Sequence, residues 1–122
     1  MIHKRKHCVA LAKRIALTRD GYQCVRCGRS KEHGYKIDGS HIFSEGGHPA
    51  ISAEPDNIKA LCSRCHTLAG DSWHEDPANQ DWFDKKYPGR RERLRKLERE
   101  LQGKQDWEQV YQRLSEILKT IT

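Results

Sequence analysis

Two cysteine pairs, Cys24-x-x-Cys27 and Cys62-x-x-Cys65, enclose a 34-residue insert that carries Ser40-His41 and Asn57, and the second pair runs directly into His66. A C-x-x-C turn aims two thiolates at one point, and two such turns complete the tetrahedral four-sulfur shell that structural zinc prefers. Four thiolates close that shell, so this Zn2+ is expected to hold the fold and do no chemistry. Disulfides fit the pattern less well, because the spacing is that of a ribbon or knuckle and Met1-Ile2-His3-Lys4-Arg5-Lys6 has no apolar core of a signal peptide. The fifth cysteine, Cys8, falls in an amphipathic stretch and reads as a buried, inert thiol. The histidines suit a different task. An imidazole with an ordinary pKa near ~6.5 can take a proton from water at neutral pH. Hydrolysis of a phosphodiester needs little beyond such a base, a divalent ion to neutralise the leaving oxygen, and cations to hold the flanking phosphates.

The elements that must position these groups follow from spacing. Val9, Leu11, Ala12, Ile15 and Ala16 recur at helical intervals over residues 6–18, and that helix stops before Asp20-Gly21. Residues 22–31 form the first knuckle, with Gly28 free to take the positive φ that follows a C-x-x-C turn. Tyr35 to Phe43 reads as a strand, Gly46-Gly47 and Pro49 as a loop, and residues 50–52 as a short return strand. A helix capped near Asn57 is expected to carry Leu61, Cys62, Cys65 and His66 to Gly70. Strand, loop and helix make a ββα unit that brings His41 opposite the helix. A covering helix begins at 72–77, with Trp73, Trp82, Phe83 and Tyr87 as core anchors. Two further helical stretches flank Gly103, one with Leu94, Leu97 and Leu101, the other with Trp107, Val110, Tyr111, Leu114, Ile117 and Leu118. The fold class is therefore α+β and mostly helical, a small ββα-metal core stapled by zinc. Residues 1–88 form the zinc-stapled domain and residues 89–122 a helical extension, whose stripe packs either on this chain or on a second copy as a homodimer.

Charge narrows the partners. The net +6 is divided unevenly: residues 1–31 carry nine Lys/Arg against one acid, residues 32–88 five against ten, and residues 89–122 nine against six. Basic flanks around an acidic centre suit a protein that grips a phosphate backbone and gathers a cation between. Lys4, Arg5, Lys6, Lys13, Arg14, Arg19, Arg26, Arg29 and Arg64 are the candidate phosphate contacts. The longest apolar runs fall far short of the roughly 20 residues of a membrane span, so a cytoplasmic protein is expected.

Thr18-Arg19-Asp20-Gly21-Tyr22-Gln23-Cys24-Val25-Arg26-Cys27-Gly28, then Ser40-His41-Ile42, Asp56-Asn57-Ile58 and Leu61-Cys62-Ser63-Arg64-Cys65-His66, together resemble an HNH endonuclease of the zinc-knuckle type frequent in phages. The resemblance covers residues 18–70. It implies that His41 is the general base, that Asn57 braces the loop, and that His66 binds a catalytic Mg2+, Mn2+ or other divalent ion. It also implies DNA, duplex or branched, as substrate. One departure stands out: most members have Asp or His just before the base, as a metal ligand, and here it is Ser40. A hydroxyl is a poor ligand beside a carboxylate. Asp38 is a reserve, but on a regular strand it faces away from His41 and needs a bulge at Gly39. His74 is another, if the chain turns at Gly70-Asp71. The competing reading is a non-catalytic zinc-knuckle protein that binds nucleic acid, with Ser40 marking a decayed site. Each motif residue also has a plainer role open to it: Asn57 as a helix cap, His66 as part of the knuckle, and His3, His7 and His33 as solvent or phosphate contacts.

Overall fold

The structure, a computed structural model, describes residues 2–68, 78–101 and 105–122. The helix start expected at 72–77, with Trp73 and His74, and the break at Gly103 lie outside the described residues. Helix α1 runs Arg5–Arg19, strand β1 Ile37–His41 and strand β2 Ile58–Cys62, followed by α2 Ala78–Lys86, α3 Arg90–Glu100 and α4 Trp107–Ile121. The α+β, mostly helical class holds, and the two strands pair antiparallel in unbroken register from Ile37 opposite Cys62 to His41 opposite Ile58.

The second strand is displaced from its expected place. Residues Pro49–Ile51 form a single 3-10 turn, and Ile58–Cys62, assigned from spacing to a helix, are the return strand. The reason is burial: all five residues of β2 are buried, which removes the polar–apolar alternation that marks a strand. The helical spacing of Leu61, Cys62, Cys65 and His66 arises because the chain passes from β2 into a wide helical turn at Arg64–Leu68. Asn57 closes a 3-10 turn, Pro55–Asn57, and caps no α-helix.

Each face of the hairpin is covered by helices. On one side α1 lies across both strands, burying Val9, Ala12 and Ile15 with Ile58. This approach needs Gly39, because a Cβ there would stand 2.9 Å from Lys13 Cγ and 3.2 Å from Ile58 Cγ2. Helix α4 packs on α1, so its apolar stripe of Trp107, Val110, Tyr111, Leu114 and Leu118, open by sequence to a second copy, is covered by the same chain. Cys8, fully buried, donates to the Trp107 carbonyl at 3.2 Å. His3 stacks on Tyr111 with ring centroids 3.6 Å apart and meets Glu108, which gives it a structural partner. On the other side Leu61, Phe83 and Leu94 form a second core with Trp82 and Tyr87 against it, as expected for these anchors.

Candidate metal centre and candidate catalytic turn

The knuckle is built by short backbone bonds. Cys24 N donates to Arg29 O at 2.7 Å, Gly28 N to Cys24 O at 3.0 Å with Gly28 at φ 86°, and Val25 N docks the turn on β2 through Ala60 O at 3.0 Å. These place the ligand atoms of Cys24, Cys27, Cys62 and Cys65 within 4.8 Å of one another. Zinc–sulfur bonds of ~2.3 Å in a tetrahedron put sulfurs about 3.8 Å apart, so the tetrad fits a four-thiolate ion. Cys27 and Cys62 Sγ already stand 3.5 Å apart. Burial pushes the Cys24 and Cys65 thiols up. Burial acts the same way on Cys27, but the backbone bond at Arg29 and the Arg29 guanidinium, 3.2 Å from Cys27 Sγ, outweigh it and bring that thiol down to about 6. Cys27 is thus ready as thiolate at neutral pH, whereas Cys24 and Cys65 need a cation.

His41 lies at the other end of the hairpin, 8% exposed, on the face that α1 covers. Its Nε2 is 2.8 Å from the Ser52 carbonyl. A carbonyl can only accept, so Nε2 carries the hydrogen and Nδ1 of the neutral ring is left with its lone pair. Burial lowers the His41 pKa below the usual histidine value. Lys13 and Lys59 push the same way; the Ser52 carbonyl and Glu45 oppose. The ring is therefore neutral at pH 7.

Asn57, fully buried, faces the loop that follows His41. Its Oδ1 accepts from Phe43 N at 2.9 Å, and its Nδ2 donates to Phe43 O and Ile51 O, both at 3.1 Å. Its carbonyl also accepts from Ile42 N at 2.8 Å. One residue thereby ties both ends of the segment 42–51 to the start of β2.

The opposite face of β1 carries Asp38 and Ser40. The strand is regular at Gly39, so Asp38 does face away from His41, yet it meets His66: Nδ1 and a carboxylate oxygen are 3.9 Å apart. Adjacent ligands of an octahedral ion with ~2.1 Å bonds stand about 3 Å apart, so this pair fits two positions of a divalent site after closing by about 1 Å. Ser40 does not fit that role. It is 1% exposed and stands across from Lys59, whose ammonium is 3.5 Å from Ser40 Oγ and 3.4 Å from the His41 carbonyl. Burial, then the charge of Arg90, pushes the Lys59 pKa well below that of an ordinary lysine. His41 and Asp38 are three residues, about 10 Å, apart along the strand. The structure thus joins Asp38 with His66 and His41 with the Asn57 loop, but keeps these pairs on opposite faces.

Among the candidate phosphate contacts, Lys4, Arg5, Lys6, Arg14, Arg26 and Arg64 are exposed, and Lys13 lies beside β1 near His41. Arg19 and Arg29 have their guanidiniums engaged, with backbone carbonyls and with Cys27 respectively. Three groups had no signal in the sequence: Ser52 acts through a main-chain oxygen, Lys59 hides in an apolar run, and Arg90 comes from a distant helix. Among the described residues, no helix is long and apolar enough to cross a membrane.

Residues 24–72 match the HNH endonuclease family. No curated protein and no solved structure matches the chain.

Proposed function

Starting from a domain of the HNH endonuclease family at residues 24–72, we propose that this protein is a metal-dependent endonuclease that hydrolyses phosphodiester bonds in DNA, with His41 as general base and structural zinc on its four cysteines. The observation that carries this reading is the bond between His41 Nε2 and the Ser52 carbonyl, which leaves Nδ1 as a lone pair on a ring held neutral by burial. In the reaction His41 Nδ1 takes a proton from water while the water oxygen bonds to phosphorus and the P–O3′ bond breaks. Asn57 keeps His41 and the loop behind it in place. Lys13 lies close enough to the base to hold the phosphate under attack, while Lys4, Arg5, Lys6, Arg14, Arg26 and Arg64 follow the backbone on either side. A divalent ion such as Mg2+ or Mn2+ would supply charge neutralisation at the leaving oxygen; Asp38 and His66 are the candidate pair for holding one, and the reaction would require that pair to be brought round to the His41 side of β1. Backbone contacts of this kind carry little sequence information, which suits a duplex or branched substrate cut with low specificity.

A second reading, a non-catalytic zinc-knuckle protein that binds nucleic acid, is favoured by one observation: Lys59 seals Ser40 where a metal-binding carboxylate would open the site. One experiment separates the two. Zinc-loaded protein is incubated with supercoiled plasmid and with a branched oligonucleotide in Mg2+, Mn2+, Ni2+ or EDTA, beside His41→Ala. The endonuclease cuts only with added ion, and His41→Ala loses roughly 10²- to 10⁴-fold in rate with its melting temperature kept. DNA bound but uncut under every ion replaces the first reading with the second.

A further inference from the structure

The turn Pro55–Asn57 and the start of β2 expose a run of carbonyls that the hairpin ladder does not use. Each is taken. Glu54 O accepts from Asn57 N at 2.9 Å and Asn57 O from Ile42 N at 2.8 Å. The other three are met by two arginines. Arg19, the last residue of α1, donates to Pro55 O at 2.8 Å and to Ile58 O at 2.6 Å. Arg90, the first residue of α3, donates to Asp56 O at 2.8 Å and to Ile58 O at 3.0 Å.

Both guanidiniums are fixed from behind. Arg19 is paired to both carboxylate oxygens of Asp20 at 3.0 Å, and Asp20 Oδ2 also accepts from Ala60 N at 3.0 Å, two residue pairs into the ladder. Arg90 is 4% exposed, sandwiched against the rings of Phe83 and Tyr87 at 5.4 and 4.9 Å and paired to Asp56 Oδ1 at 3.2 Å. Burying a guanidinium in aromatic surroundings is costly unless its hydrogen bonds are made, and these bonds go to one backbone turn. Ile58, whose carbonyl both arginines share, is the ladder partner of His41. Asn57, beside it, binds the backbone of Ile42 and Phe43, the two residues after His41.

We infer that Arg90 and Arg19 are positioning residues of the catalytic turn, a clamp supplied by α3 and α1 from outside the matched segment 24–72, which sets the place of Asn57 and through it of His41. The claim rests on the reading of His41 as base. The fork of an arginine, with donors spaced for two acceptors, bridges two carbonyls of the turn at once; an ammonium at the same place reaches one of them and the bridge is lost.

The test uses the full chain, zinc-loaded. Arg90→Lys and Arg19→Lys are compared with wild type for kcat, KM, melting temperature and zinc content, and for amide exchange at Ile42 and Phe43 with Val25 as control. The expected result is a kcat lower by about 10- to 100-fold at unchanged KM, since displacement of a reacting group by about 1 Å costs this much. Exchange should rise at Ile42 and Phe43 while Val25, whose amide donates to Ala60 O where the knuckle docks on β2, and zinc content stay as in wild type. If Arg90→Lys does not fold, Arg19→Lys, whose side chain is 34% exposed, carries the comparison. Wild-type kcat and wild-type exchange in the folded variants would overturn the clamp. Wild-type protein that never cuts would overturn the nuclease reading, and the exchange measurement would still decide the clamp.

Discussion

The two ends of one short hairpin are held by different physics. At the Ile37–Cys62 end four cysteine sulfurs converge within 4.8 Å of one another. At the His41–Ile58 end the chain is held by amide, carbonyl and guanidinium bonds drawn from α1, α3 and the 42–51 loop. The first end needs four cysteines, supplied by one knuckle turn and the passage from β2 into a wide helical turn, and one ion. The second is made of many modest bonds, each worth about 1 kcal/mol net but dearer to leave half-made in the interior. A strong local staple makes a frame; a distributed set of weaker bonds fixes an angle.

The contrast is broken most severely at the metal end. Cys62→Ser, or chelation of the wild type, is expected to abolish metal binding and unfold the core, because structural zinc contributes roughly 10–16 kcal/mol in small domains against a whole-domain stability of about 5–15. Metal analysis and circular dichroism check it; a folded, metal-free Cys62→Ser protein would remove the staple from the account. Asn57→Ala acts on the other end and orphans buried groups at Phe43 and Ile51, a loss of about 3 kcal/mol and roughly 10 °C in melting temperature, with zinc content kept. An unchanged melting curve would show that the loop is held elsewhere. The smallest effect is in pH. Burial lowers the His41 pKa, so the neutral base persists below the usual histidine range, and the acid limb of the rate profile should fall below about pH 6.5. The unfolded chain takes up this proton near pH 6.5 while the folded one does not, so the same group costs stability as pH drops from there towards the folded value. Glu45 opposes that shift, while Lys13 and Lys59 add to it; an acid limb at or above 6.5 would place Glu45 in control of the ring.

The metal end could be read directly from the residues, since C-x-x-C spacing and Gly28 are local statements and the structure turns there as they require. Helix α1, the sheet's first strand and the leucine stripes of α3 and α4 were legible for the same reason. The second strand was not: Ile58–Cys62 is buried on both faces and carries no alternation, so it was assigned to the helix that its neighbours suggested. Asp38 illustrates a subtler failure. Strand parity correctly turned it away from His41, but only the path of the chain after Cys65 shows that His66 arrives on Asp38's side. The arginine contacts depend on α3 returning to the 55–57 turn, a packing relation that no window of sequence contains.

The partner of His41 Nε2 is a peptide oxygen. The side chain of Ser52 is occupied elsewhere, donating to Pro49 O at 2.7 Å. No single codon change can therefore delete the acceptor that fixes the imidazole tautomer; replacing residue 52 alters the hydroxyl and leaves the oxygen on the chain. The setting of this histidine is inherited with the path of the backbone, so substitutions can shift it only by bending the loop, and a screen that varies one side chain at a time would pass over the contact.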